Sequence, residues 1–241
     1  MLRLSVNLNK VALIRNARGG NLPNLKQFAM DCEEFGAQGI TVHPRPDERH
    51  VTYADLPILK EVVQSEFNIE GNPTRKFIDL VNKVRPHQVT LVPDAPSALT
   101  SDAGWDTINQ KDLLTEIIKE FKGAGIRTSI FIDPIKERLD AAKEIGTDRI
   151  EFYTGPFAKD FGENPQKSIE VFTNASKYAH KIGLGVNAGH DLNLNNLRFF
   201  VANMPHLQEV SIGHALISDA LYYGIQNTIQ MYRRQIDLGL Q

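Results

Sequence analysis

Eight times along this chain a short run of β-forming residues gives way to a longer stretch whose apolar residues recur at helical spacing. The β-rich runs cover residues 2–9, 39–43, 67–70, 88–92, 127–133, 149–154, 183–188 and 209–213. The clearest helix spans 111–122, with Leu113, Leu114, Ile117, Ile118 and Phe121 read on one face. Gly36, Gly123, Gly125, Gly146 and Gly183 sit between a helix end and the next run, as helix C-caps do. Strict β-then-α alternation demands parallel strands joined by crossovers, and eight units close a TIM (β/α)8 barrel. An open dinucleotide-binding sheet would carry a G-x-G-x-x-G turn after its first strand, and none is present.

With 241 residues and 41% hydrophobic composition, the chain suits one barrel domain over 1–241. No composition shift or low-complexity segment divides it. Its 27 basic and 29 acidic residues are interspersed, so no basic arm is available for nucleic acid and any anion binding must be local. Cys32, the only cysteine, falls in a helical pattern with Phe28, Ala29 and Phe35, which makes it a core residue and rules out an intrachain disulfide. There is no basic-then-apolar leader and no apolar run of the roughly 20 residues a membrane helix needs, so a soluble cytoplasmic protein without membrane attachment is expected. Two long connections, 15–24 and 93–109, follow strands one and four, and loops of that length in a compact domain commonly act as lids.

In a parallel α/β barrel, chemistry gathers at the carboxyl ends of the strands. Those positions carry Asn7 and Asn9, His43 and Arg45, Glu70, Glu151, Asn187 with His190, and Gly213 with His214. A lone histidine there is usually a structural hydrogen-bonder. Carboxylates and histidines converging from five strands are costly to bury for stability alone, and such a set is an active-site candidate. IGHA at 212–215 combines a glycine allowing close approach with the start of an apolar helix, the form of a phosphate site, and Gly189 and His190 neighbour it. Arg18, Arg45 and His50 provide a second anion-binding set across the mouth, although surface arginines are more often merely solvated. The one lysine near a strand end, Lys10, is poorly placed for Schiff-base chemistry. His43, Glu70, Glu151 and His190 also form a chemically sound metal-ligand set, but strand one reads Asn7, Leu8, Asn9 where many barrel metallohydrolases have His-x-His, and no metal or cofactor is expected.

Taken together and in order, VN at 6–7, RNARG at 15–19, GITVH at 39–43 with Arg45, Arg49 and His50, NIE at 68–70, LVP at 91–93, FID at 131–133, IE at 150–151, TG at 154–155, VNAGH at 186–190 and IGHA at 212–215 resemble the pyridoxine 5′-phosphate synthase family. The resemblance implies a TIM barrel with extra helices, a homo-oligomer, typically an octamer, and no cofactor. It implies condensation of 3-amino-2-oxopropyl phosphate with 1-deoxy-D-xylulose 5-phosphate to pyridoxine 5′-phosphate, phosphate and water. By the same resemblance, His43 and Glu70 are general bases, His190 is a general acid, and Glu151 stabilises charge in transition states. Asn7, Arg18, Gly213 and His214 would contact the amino-ketone phosphate, while Arg45, His50 and Thr100 would contact the deoxyxylulose phosphate. Three departures stand out: Asn9 and Lys10 replace an Asp-His pair, Pro44 and Pro46 flank Arg45, and Asp191 follows His190 where the family pattern has glycine. Asn9, Lys10 and Asp191 thus remain substrate-facing candidates of altered chemistry. The competing readings are a metal-dependent sugar-phosphate lyase or epimerase, and a non-catalytic barrel that binds a phosphorylated metabolite.

Overall fold

The computed structural model describes residues 2–94 and 101–241. Eight parallel strands close into a barrel in chain order: β1 (Arg3–Asn7), β2 (Gly39–Val42), β3 (Glu66–Gly71), β4 (Gln88–Leu91), β5 (Arg127–Ile132), β6 (Arg149–Phe152), β7 (Gly185–Gly189) and β8 (Leu207–Ile212), with β8 pairing back onto β1. Among the described residues eleven helices surround them: α1 (Asn9–Arg18), α2 (Leu25–Glu34), α3 (Asp55–Val62), α4 (Arg75–Val84), α5 (Lys111–Gly123), α6 (Lys136–Ile145), α7 (Gly155–Asp160), α8 (Pro165–Lys181), α9 (Leu197–Asn203), α10 (His214–Tyr223) and α11 (Ile225–Gly239). The helices beyond one per strand follow β1, β6 and β8. No described helix is long and apolar enough to cross a membrane.

Side-chain alternation along the strands divides the barrel into two chemistries. Leu4, Val6, Ile40, Val42, Phe67, Ile69, Val89, Leu91, Ile130, Ile132, Ile150, Phe152, Val210 and Ile212 are fully buried and belong to the apolar core beneath the helices. Each such side chain contributes roughly 1.5–3 kcal/mol of burial. The intervening row is polar and bonds to itself across strands: Ser5 Oγ meets Thr41 Oγ1 at 2.7 Å, and Thr90 Oγ1 donates to Asn68 Oδ1 at 3.1 Å. Many TIM barrels fill their interior with branched apolar side chains. At the amino-terminal end, Arg3 and Arg127 hydrogen-bond to Glu66, and Arg149 lies 3.4 Å from the same carboxylate. This network closes the floor of the barrel, opposite the mouth.

Three local expectations need correction. The first strand stops at Asn7, because its side-chain Oδ1 accepts the backbone N–H of Asn9 at 3.0 Å and turns the chain into α1, so Asn9 opens a helix rather than ending a strand. That helix continues to Arg18 on the buried residues Val11, Ala12 and Arg15, which shortens the first long connection to residues 19–24. In α5, Leu113 is 52% exposed; the buried face is Leu114, Ile117, Ile118 and Phe121, whose i, i+3, i+4, i+7 spacing excludes it. Cys32 is fully buried, as its pattern implies.

Candidate active site

A cavity of about 550 Å³ opens at the carboxyl ends of the strands. His43, directly after β2, and Glu70, near the end of β3, face one another in it, with His43 Nδ1 3.9 Å from Glu70 Oε2. That gap is too long for a direct hydrogen bond and suits an intervening water or substrate group. Asn9 fixes the histidine's backbone by accepting the His43 N–H on Oδ1 at 2.9 Å, and Asn7 Nδ2 approaches Glu70 Oε2 at 3.4 Å. The acceptor oxygen that an aspartate would place at position 9 is therefore retained by the amide.

Burial sets the protonation of this pair in opposite senses. It drives His43 well below the ordinary histidine pKa, reinforced by the positive charges of Arg45 and Arg49, so the ring is neutral at pH 7. Glu70 is pushed up to about 8, first by burial and then by the Asp94 and Glu209 carboxylates, with Arg45 opposing. Glu70, a general base by the family resemblance, therefore starts mostly protonated at pH 7. Glu151, 3% exposed on β6, is raised well above the usual carboxylate range by burial and by Glu70, and its Oε2 has no protein hydrogen-bond partner among the described residues.

On the far wall, His190 follows β7, and its Nδ1 lies 2.7 Å from Asp191 Oδ2. Tyr153 meets the imidazole edge-on at 5.8 Å between centroids, and Phe131 lies at 6.5 Å. Gly213 and His214 bring the amino-terminal end of α10 to the cavity, where unpaired backbone N–H groups and the helix dipole favour an anion. A Cβ on Gly213 would stand 3.0 Å from the Asn7 side chain, so glycine permits β1 and this turn to pack closely.

The opposite rim carries cations and imidazole. Lys10, Arg45 and His50 line the cavity. The Arg45 guanidinium is held by Asp94 at 2.6 Å, and Ser101 donates to the same carboxylate oxygen at 2.6 Å. His50 is lowered to about 4, chiefly by burial and then by Arg45 and Arg49. Its Nδ1 accepts the Val51 N–H at 3.0 Å, which leaves Nε2–H as the donor of the neutral ring. The buried pair of Arg15 with Asp55, at 2.6 and 2.9 Å, secures this segment, with Arg15 Nη2 and Asn16 Nδ2 both donating to the His50 carbonyl.

Of the residues singled out from sequence, Asn7, Asn9, Lys10, His43, Arg45, His50, Glu70, Glu151, His190, Asp191, Gly213 and His214 line one cavity. Arg18 does not; it is exposed at the last turn of α1. Asn187 is wholly buried within the barrel and is not part of the lining. Thr100 and part of the second long connection lie outside the described residues. Sequence reasoning passed over Asp94, Ser101, Phe131, Asn193 and Ser211 as site residues, and only Ser211 was findable, from its polar row two positions before Gly213. Among the described residues no group of three or more His, Cys, Asp or Glu is arranged to hold a metal ion.

The model of the family described as "Pyridoxal phosphate biosynthesis protein PdxJ" matches residues 4–238. The chain belongs to this family. PdxJ-family relatives named pyridoxine 5′-phosphate synthase include one from Parabacteroides distasonis, 59% identical over 97% of this chain and 98% of the relative. Another, from Cytophaga hutchinsonii, is 58% identical over 98% of this chain and 99% of the relative. Among solved structures, 3-keto-L-gulonate-6-phosphate decarboxylase from Vibrio cholerae shares the fold at a TM-score of 0.66 and 10% identity, the match covering 98% of this chain and 97% of that one.

Proposed function

We propose that the chain is a pyridoxine 5′-phosphate synthase acting on 3-amino-2-oxopropyl phosphate and 1-deoxy-D-xylulose 5-phosphate. Membership of the family gives the enzyme class. The observation that carries the substrate pair is an acid–base couple, His43 and Glu70, set between two anion-attracting ends of one cavity. The α10 amino terminus, with Asn7, Gly213 and His214, suits the phosphate of the amino ketone. Arg45, Lys10 and the Nε2–H of His50 suit the deoxyxylulose phosphate, with Thr100 as a further ligand by family resemblance, which assigns Arg18 to the amino-ketone phosphate.

The substrate amine attacks the ketone of its partner, so the enzyme needs no Schiff-base lysine. Neutral His43 accepts protons at the reacting carbons. Glu70 begins as a donor at pH 7 and becomes a base once its proton has passed to a leaving oxygen. A protonated Glu151 donates a hydrogen bond to charge developing on oxygen, as a carboxyl kept neutral by burial does. His190 delivers the proton for ring closure and the last dehydration. The protein acts in the cytoplasm as a homo-oligomer, an octamer by family resemblance. Incubation of chelator-treated protein with both substrates yields pyridoxine 5′-phosphate by chromatography; no product under conditions where a known synthase works refutes the proposal, and activity restored only by added metal would favour a metal-dependent enzyme.

A further inference from the structure

We propose that Asp191 is the positioning residue of His190, locking the imidazole so that Nε2 is the nitrogen offered to substrate. The inference rests on the reading of His190 as a proton donor. Asp191 Oδ2 lies 2.7 Å from Nδ1 of the ring, and a carboxylate accepts but does not donate, so Nδ1 must carry the hydrogen of that contact. The second nitrogen is then the one through which a proton reaches substrate.

The surrounding backbone is built to hold this contact. His190 adopts a left-handed φ of 62°, which a non-glycine residue keeps only where its neighbours impose it, and its N–H donates to the Ser211 carbonyl at 3.3 Å. The Asp191 N–H reaches the Gly189 carbonyl at 3.0 Å and Thr154 Oγ1 at 3.3 Å. The Asp191 carbonyl accepts from Nδ2 of Asn193 at 3.4 Å and of Asn196 at 3.3 Å. Thr154 in turn donates to the Gly189 carbonyl. With Tyr153 and Phe131 against the ring, both the position of the imidazole and its rotation are determined from several elements at once.

This is the task an aspartate performs beside a catalytic histidine elsewhere: it fixes the tautomer and the orientation of the ring. The chain supplies the orienting group from the residue next to the histidine. The Asp191 side chain is 37% exposed, so solvent screens it, and the expected effect is about tenfold to a hundredfold in kcat, at or below the low end of what a full general acid contributes.

The test pairs Asp191→Ala, which removes the acceptor, with Asp191→Asn, which keeps a neutral acceptor of the same shape. Protein labelled with 15N-histidine is observed above the imidazole titration range, and the His190 signals are identified by their loss in His190→Gln. Wild type and Asp191→Asn are expected to show the Nδ1–H tautomer. Asp191→Ala is expected to show a mixture, with kcat reduced about tenfold or more and KM for either substrate not raised. Unchanged 15N shifts in Asp191→Ala, or changed shifts with wild-type kcat, overturn the proposal. If the shifts respond as expected but the wild-type protein makes no pyridoxine 5′-phosphate, the positioning role stands and the reading of the enzyme falls.

Discussion

Replacing Glu70 by glutamine separates what this carboxyl costs the fold from what it does in the cavity. Its side chain is 13% exposed and faces neutral His43 across 3.9 Å, with the Asp94 and Glu209 carboxylates adding to the burial that raises it from 4.5 to about 8. In the unfolded chain the group ionises near 4.5, whereas the folded protein keeps its proton to about 8. Between those values the folded state binds more protons, so stability falls as pH rises, by about 1.4 kcal/mol per pH unit. Accumulated from 4.5, the penalty is about 3 kcal/mol at pH 7 and about 4 kcal/mol at pH 8, levelling off above that, and it fades out below pH 4.5. Glutamine has nearly the same shape and no charge to desolvate. In urea titrations, Glu70→Gln should match wild type near pH 4.5 and become progressively more stable towards pH 8, while turnover falls about 10²- to 10⁴-fold. A stability difference independent of pH, or one that favours wild type as pH rises, refutes the assignment of a buried, protonated Glu70.

Because burial and nearby cations lower His43, it stays neutral below the ordinary histidine range, and any acid-side loss of kcat arising from it should lie well below pH 6.5; a limb at 6.5 in wild type that vanishes in His43→Gln contradicts this. Arg15→Ala leaves Asp55 buried without its bidentate partner and should cost about 3–5 kcal/mol in urea melts, with part recovered in the Arg15→Ala/Asp55→Ala double variant; a cost under about 1 kcal/mol counts against a structural role for the pair. Gly189→Ala places a Cβ 2.3 Å from the Ser211 carbonyl and 3.0 Å from Glu151 Oε1, so about 1–3 kcal/mol of stability should be lost together with turnover, and wild-type behaviour in both assays argues against this packing.

The alternation of β-rich and helical stretches is a local property of the chain, and it sufficed to specify eight strands, their parallel order and the mouth at which His43, Glu70, Glu151, His190 and Gly213 gather. Boundaries were less legible. Asn7 turns the chain into α1 through its own side chain, and the polar stretch 15–18 reads as loop although Arg15 is buried against Asp55, a partner 40 residues away. The polar row inside the barrel was present in the alternation of Arg3, Ser5 and Asn7 with Leu4 and Val6, but its meaning depends on closure, which turns one face of every strand inward. Residue types alone place a glutamate at the end of β3 and a histidine after β2. That the glutamate holds a proton at pH 7 while the histidine does not follows from burial, from Glu209 of β8 and Asp94 after β4 acting on Glu70, and from Arg45 acting on His43, because desolvation and Coulomb interactions act through space. The contact of His190 with Asp191 needed both: adjacency is written in the chain, but only the left-handed backbone held by β8, Thr154, Asn193 and Asn196 brings two neighbouring side chains together.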